Sequence, residues 1–503
     1  MSDDDFVAYP DFDADSNSDD SSCDEDSSYD GSFYFESSDE KLTRLKNMRE
    51  ALNWEIEAER SEFFNKFKAL SKGWHEDFLD LRDIFRREEI DWLLIEDMKS
   101  QKNSKMGSRQ FPLIKFVLNT GYTDEPEQGG GPSSLLRSTP LHYASRDLFP
   151  EIINHLFDIY HRCDVNYSDE SGYSHFHAAC SEGHYDTVKK FLELGQVDIN
   201  CPWPKTGESP LYLALKSEKS EVFRLLLLSG ADPNSTNADG TTCLHDISKE
   251  GYQADLAEIL LERNDEGELR YAVQVDARDK SGRTPLQVAV AHVFPELVRL
   301  LLDRGADLSN FVFPTECHFD KGFDISRMLL AGIDELQITT DALVIVEQLE
   351  QKGYELARSD AVTMMKTLVK HRLFEKAEQI EFWREDEDFV SMAKEIMIIP
   401  SSSLYDSIQM RPGKAKNQLT NRHYFKFLVW EDWEELSDEM AETCVAHLCE
   451  KIWERFFQQW TLEPLMKLTE LPILCCEKIM ENLMNKDLLK ICLADEIVPN
   501  KHN

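Results

Sequence analysis

Basic residues are scarce in this 503-residue chain: 55 Lys and Arg stand against 95 Asp and Glu, a formal net charge of −40. That deficit argues against nucleic acid or an anionic membrane surface as the main partner, because both are bound through Lys and Arg contacts to negative groups. No run of about eighteen uncharged apolar residues occurs, so no membrane-spanning helix is expected. The opening Met1-Ser2-Asp3-Asp4-Asp5 lacks the basic start and apolar run of a signal peptide, and the expectation is an intracellular protein, cytoplasmic or nuclear. The eleven cysteines are scattered and odd in number. In a chain this long they read as reduced, mostly buried thiols rather than a disulfide framework. A glycine-rich phosphate loop, a nucleophile elbow and a paired Cys-x-x-Cys metal site are all missing, which weighs against an enzyme; no cofactor and no metal are expected.

What is present is unevenly spread. Residues 1–40 hold fifteen Asp or Glu and no Lys or Arg, a composition that buries too little apolar area to offset the entropy of ordering, so disorder is expected. Aromatics recur through it (Phe6, Tyr9, Phe12, Tyr29, Phe33, Tyr34, Phe35), and serines such as Ser16 and Ser22 have Asp19 and Glu25 three residues on. Two readings stand: an acidic-aromatic partner motif open to phosphorylation, or a solvated, self-repelling tail. Residues 41–109 turn helical. Leu42, Leu45, Leu52 and Ile56 form one apolar stripe, and Phe78, Leu81, Ile84, Phe85, Trp92 and Ile95 a second, with Gly73 as the turn. A helical hairpin or an N-terminal cap is expected there.

Internal repetition dominates residues 110–310. Thr139-Pro140-Leu141-His142 is followed 35 residues on by Ser174-His175-Phe176-His177, after another 35 by Ser209-Pro210-Leu211-Tyr212, after 33 by Thr242-Cys243-Leu244-His245, and after 42 by Thr284-Pro285-Leu286-Gln287. A second element keeps register: Val188-Lys189-Lys190-Phe191-Leu192, Val222-Phe223-Arg224-Leu225-Leu226 and Leu297-Val298-Arg299-Leu300-Leu301, each closed by a glycine (Gly195, Gly230, Gly305). Thr or Ser caps a helix, Pro suits its first turn and Gly ends the next helix. No such unit closes its own core, so neighbours must stack. The pattern resembles the ankyrin repeat, with about five recognisable units. That resemblance implies that His142, His177 and His245 are structural, each tied to its own Thr or Ser and to backbone of a neighbour. His177, Cys180 and His184 have metal-like spacing but are better explained by a helix face plus the family's common Gly-His.

A resemblance to ankyrin repeats implies a protein target held on the concave groove. Candidate target contacts are Tyr143, Tyr212, Trp203 on the β-turn finger Cys201-Pro202-Trp203-Pro204, and Arg270 within the extra length near Arg263–Gln274. Trp203 has a competing reading, in which it folds back on the adjacent finger.

Beyond Asn310 the repeats fade. Residues 311–400, with a stripe at Leu343, Val346 and Leu349 and an acidic stretch around Glu375–Asp388, read as a helical extension or degenerate repeats. In 401–503, Leu471-Pro472 leads to Ile479, Leu483 and Asp487-Leu488 at helical spacing, two short helices joined near Asn485. Behind ankyrin repeats this is similar to the PRANC domain, an F-box-like helical core, and Tyr424-Phe425-Lys426-Phe427-Leu428 upstream is compatible with it. The resemblance implies docking on the Skp-type adaptor of a cullin–RING ubiquitin ligase through Leu471, Pro472, Ile479, Leu483 and Leu488. The bland alternative is a helical cap. The expected fold is all-α: an ankyrin solenoid with a helical N-terminal segment and a C-terminal F-box-like domain. The expected function is a substrate-recognition adaptor for ubiquitin transfer; the alternative is a scaffold or inhibitor that sequesters a signalling protein.

Overall fold

The computed structural model describes residues 37–72, 74, 79–105, 108–125, 135–147, 149–250, 254–265, 270–320, 323, 333–399, 401–409 and 436–497. The acidic stretch 1–36, Gly73, Phe78, Gly129–Pro132, part of the extra length after the fourth unit (266–269) and the aromatic run Tyr424–Leu428 lie outside these residues.

Local chemistry sets the repeats. Ser174, Ser209 and Thr284 each accept the N–H of the residue three on, satisfying an amide that a helix start leaves without an intrahelical acceptor. Proline occupies the first turn at Pro140, Pro210 and Pro285, where its missing N–H is harmless. Five short inner helices result, Pro140–Arg146, His175–Glu182, Pro210–Lys216, Cys243–Glu250 and Pro285–Ala291. Each pairs with an outer helix: Pro150–Ile159, Tyr185–Leu194, Ser220–Leu228, Ala254–Asp265 and Pro295–Asp303. Inner helices pack on inner ones along the row, burying Leu141, Phe176, Leu211, Leu244 and Leu286, while Leu156, Phe191, Leu226, Leu260 and Leu301 close the layer from the outer side. No unit owns its core.

Between units the chain forms fingers with a recurring device. Asp169, Asn237 and Asp279 each use Oδ1 to accept the backbone N–H groups two and four residues on, closing a tight turn. Glycine is required where fingers stack: a Cβ on Gly207, itself at φ +73°, falls 2.8 Å from the Ala238 nitrogen.

At the N-terminus the structure has helices Ser38–Glu50, Glu57–Ser71 and Arg87–Lys99, where the sequence stripes suggest a two-helix hairpin; Pro112–Asn119 follows, within the stretch read as repeats. The first stripe breaks before Leu52, because Asn53 takes the Glu55 N–H on its side chain and gives its own N–H to Glu59, a local bonding pattern that competes with helix. A buried ion network joins this segment to the repeats. Arg137, just ahead of the first cap, donates to Asp91 at 2.8 Å and to Asp124 at 2.9 Å; Tyr160 donates to Asp91 at 2.5 Å and Tyr167 to Asp124 at 2.9 Å. Burial lifts the Asp91 carboxyl to about 6 against the pull of Arg137.

Past the fifth unit, Thr315 and His318 cap a one-turn helix, Glu316–Phe319, in the same Thr-x-x-His manner as the earlier units. Helix Ile333–Gln351 then packs on the fifth outer helix and on a 32-residue helix, Asp438–Thr469; Trp453 of the latter donates its indole N–H to the Thr339 carbonyl at 3.0 Å. Pro464 sits inside that long helix and cannot donate to Trp460, whose carbonyl accepts the Cys492 thiol instead. Helices Ile473–Met480 and Asn485–Ile497 fold back along the long helix. The molecule is mostly helical; among the described residues one short antiparallel pair, Met397–Ile399 with Ser402–Ser403, interrupts the stretch read as wholly helical. No helix among those residues is long and apolar enough to cross a membrane.

Candidate protein-interaction groove

The fingers and inner helices of the third to fifth units enclose a groove of about 960 Å³, closed at its far end by Val312–His318. Tyr212, Asp246 and Val288 come from the helix side; Asn237, Asp239, Arg278, Lys280 and Ser281 from the finger side.

The repeat histidines tie each unit to the next, and His245 among them lines the groove. Each accepts its own cap's N–H on Nδ1 and donates from Nε2 to a carbonyl of the next finger: His142 to Tyr167 at 3.2 Å, His177 to Cys201 at 2.9 Å, His245 to Arg283 at 2.9 Å. Burial holds His142 down at about 4, so the ring is neutral, as one accepting and one donating nitrogen require. Gln287 repeats the arrangement with an amide, accepting from Thr284 and donating to Val312. These are the structural roles that the resemblance implied. His184 lies against the Phe157 ring and meets Thr187 through Nδ1, and Cys180 is fully buried.

The candidate contact residues fare unequally. Tyr212 lines the groove but is only 4% exposed; Asn237 donates to its hydroxyl at 3.1 Å, and burial together with the nearby Asp246 charge raises the phenol above its ordinary value. Trp203 folds back on the preceding finger: its indole N–H donates to Ser171 at 3.1 Å and its ring packs 4.8 Å from Tyr173. An open hot spot is thereby corrected to a half-buried one. Tyr143 is half-buried against Phe149. Arg270 is exposed, its guanidinium above Tyr271 and its stem across Gly230 at the base of the finger, away from the groove lining. Sequence reasoning missed Asp246 and the finger residues Asp169, Asn237 and Asp279. The latter announce themselves by an Asp or Asn five residues, and a Gly two residues, ahead of each cap.

The second candidate surface is the Leu-Pro segment. Leu471, Pro472 and Ile479 are exposed, as are Ile473 and Leu474, the last at 73%. Two expected anchors are corrected: Leu488 is fully buried and Leu483 half-buried, because helix Asn485–Ile497 turns that face onto the long helix. Thr461 donates to the Leu488 carbonyl at 3.3 Å within this packing.

Residues 109–203, 141–237 and 211–311 match the family model of ankyrin repeats in three overlapping copies. The human B-cell lymphoma 3 protein is 32% identical over 146 residues, 28% of this chain and 30% of that protein. An ankyrin repeat protein of Fowlpox virus is 30% identical over 178 residues, 33% of this chain and 47% of that one. The chain thus spans less than half the length of these relatives. The solved ankyrin repeat domain of Bcl-3 aligns over 39% of this chain and 85% of its own, at 22% identity and a TM-score of 0.29. From residue 109 to residue 311, the chain carries ankyrin repeats, stacked as a protein-interaction module.

Proposed function

We propose that the protein is an intracellular adaptor that performs no bond chemistry: the groove holds a protein target, and the Leu-Pro segment docks on the Skp-type adaptor of a cullin–RING ligase. The observation that supports this reading is the apolar surface at Leu471, Ile473, Leu474 and Ile479, left open on a helix whose only buried residues are Cys476 and Met480. A helix that served only as a cap would turn its large aliphatic side chains inward, since each one buried is worth about 1.5–3 kcal/mol. An exposed apolar patch marks an interaction site. Placing a target and a ligase on one chain raises the effective concentration of target lysines near the charged ubiquitin carrier. The groove and the patch belong to separate parts of the chain, so each can hold its own partner. Nucleic acid and membrane have no part in this reading.

The test is capture of purified Skp-type adaptor by the full chain and by a Leu471→Ala/Pro472→Ala variant. Both positions are exposed, so the variant keeps its fold. Capture by the parent and loss in the variant support the ligase reading. No capture by either leaves the second reading, an ankyrin scaffold that sequesters its target through the groove.

A further inference from the structure

The fourth residue after each cap is Tyr143, Ala178, Leu213, Asp246 and Val288 across the five units, and the last two of these line the groove. Four are uncharged. The fifth, Asp246, is a partly buried carboxylate, and it sits beside the one unit where tyrosine replaces the bridging histidine. Tyr212 is too long to fold back on the Ser209 amide. Its ring lines the groove beside Asp246 of the next unit, whose charge acts on the phenol, while Asn237 donates to the phenol oxygen at 3.1 Å. Asp246 lines the same groove half-buried, and a carboxylate offers about four acceptor sites.

The other groove acids are committed. Asp279 accepts from two backbone amides and from Arg283. Glu208 accepts from Thr206 and from Lys216 at 2.9 Å, and Glu250 from Lys249 at 2.7 Å. Lys216 and Lys249, whose charges also act on Asp246, form their ion pairs with Glu208 and Glu250. Asp239 is exposed at the finger tip, where an ion pair is worth little. Desolvation penalises the Asp246 charge in the free protein, and a cation brought to it removes that penalty.

We propose that Asp246 is the specificity-determining residue of the groove, receiving a basic side chain, arginine before lysine, from an extended segment of the target protein. This rests on the reading of the groove as the target site. Arginine is favoured because its planar fork offers two parallel donors to one carboxylate.

The test uses the full chain with a random-peptide display library, followed by synthetic peptides made from the enriched sequences. A fixed Arg or Lys is expected in the enriched set. Asp246→Asn, which keeps the side chain's shape and removes its charge, is expected to weaken those peptides about tenfold and to leave unchanged a version whose basic residue is replaced by Gln. The double substitution separates this pair from general attraction to an acidic protein, because Asp246→Asn alters net charge by one unit in 40. Enriched peptides without a fixed basic residue, binding insensitive to Asp246→Asn, or no enrichment at all would overturn the assignment. None of these outcomes touches the adaptor-docking reading, whose test uses the Leu-Pro patch and not the groove.

Discussion

A single imidazole carries much of the register between neighbouring repeats. His177 satisfies the buried Ser174 amide on one side and the carbonyl of half-buried Cys201 on the other. Deleting the ring opens a cavity and leaves both backbone groups without this partner, at about 1–3 kcal/mol for the buried amide and less for the carbonyl. His177→Ala is therefore expected to destabilise the chain by several kcal/mol and His177→Gln by distinctly less, since Gln287 performs the same double task at its own cap. Urea melts of the two variants decide this; equal losses would mean that the amide cannot stand in. A pH dependence follows from His142. Its pKa lies at about 4 in the fold against 6.5 ordinarily. Above 6.5 the ring is neutral folded or unfolded and its contribution is complete. As pH falls from 6.5 toward 4 the unfolded chain takes up a proton that the folded chain refuses, and stability declines, on the order of 3 kcal/mol over the whole window. His142→Gln should flatten the stability–pH curve between those limits relative to the parent, a comparison in which other titrating groups cancel. These roles were legible in the sequence because the partners lie three residues away and one repeat away, both fixed by the period. The Tyr212–Asp246 pair was not. It depends on a side chain crossing between units, which spacing does not encode.

At the scale of elements, helical periodicity identifies apolar faces but not what covers them. Leu471, Ile479, Leu483 and Leu488 follow one another at intervals of eight, four and five in the sequence, yet the fold divides them: the first two are exposed and the last is sealed by the long helix. The division follows from the turn after Met480, which reverses the chain so that the two helices present unlike faces to Asp438–Thr469. Leu488→Ala should cost about 2–5 kcal/mol through lost burial and a residual cavity. Leu474→Asp, on a side chain 73% exposed, should leave stability within about 0.5 kcal/mol while abolishing adaptor capture. Thermal denaturation of both variants beside the capture assay checks the pair; a large loss of stability in Leu474→Asp would argue that the patch is internal packing. The sixth cap, Thr315 with His318, was readable in principle, 31 residues after Thr284, but its inner helix is a single turn and carries no apolar stripe to confirm it.

For the whole molecule, the ends matter as much as the repeats. A solenoid contacts only its neighbours, so its stability is a sum of units and interfaces, and exposed ends unravel unless covered. Here the fifth unit is covered by helix Ile333–Gln351, itself held by the long C-terminal helix. The first unit is covered by helix Arg87–Lys99, held through Arg137 to Asp91 and Asp124. The two kinds of closure differ physically. The C-terminal one is chiefly aliphatic and aromatic packing, where a truncated side chain leaves a cavity but no unpaired charge. The N-terminal one places two carboxylates in the interior, Asp124 between Arg137 and Arg87 and Asp91 on Arg137 alone, and removal of Arg137 leaves Asp91 buried without its cation, at about 3–5 kcal/mol. Arg137→Ala should therefore act locally before it acts globally. Amides of Arg87–Lys99 should lose hydrogen-exchange protection first, then those of Pro140–Arg146, while Pro285–Ala291, four units further on, keeps the parent's protection. Equal loss along all five inner helices would mean that the array opens as one cooperative block, with the N-terminal helices an integral part of it rather than a cap.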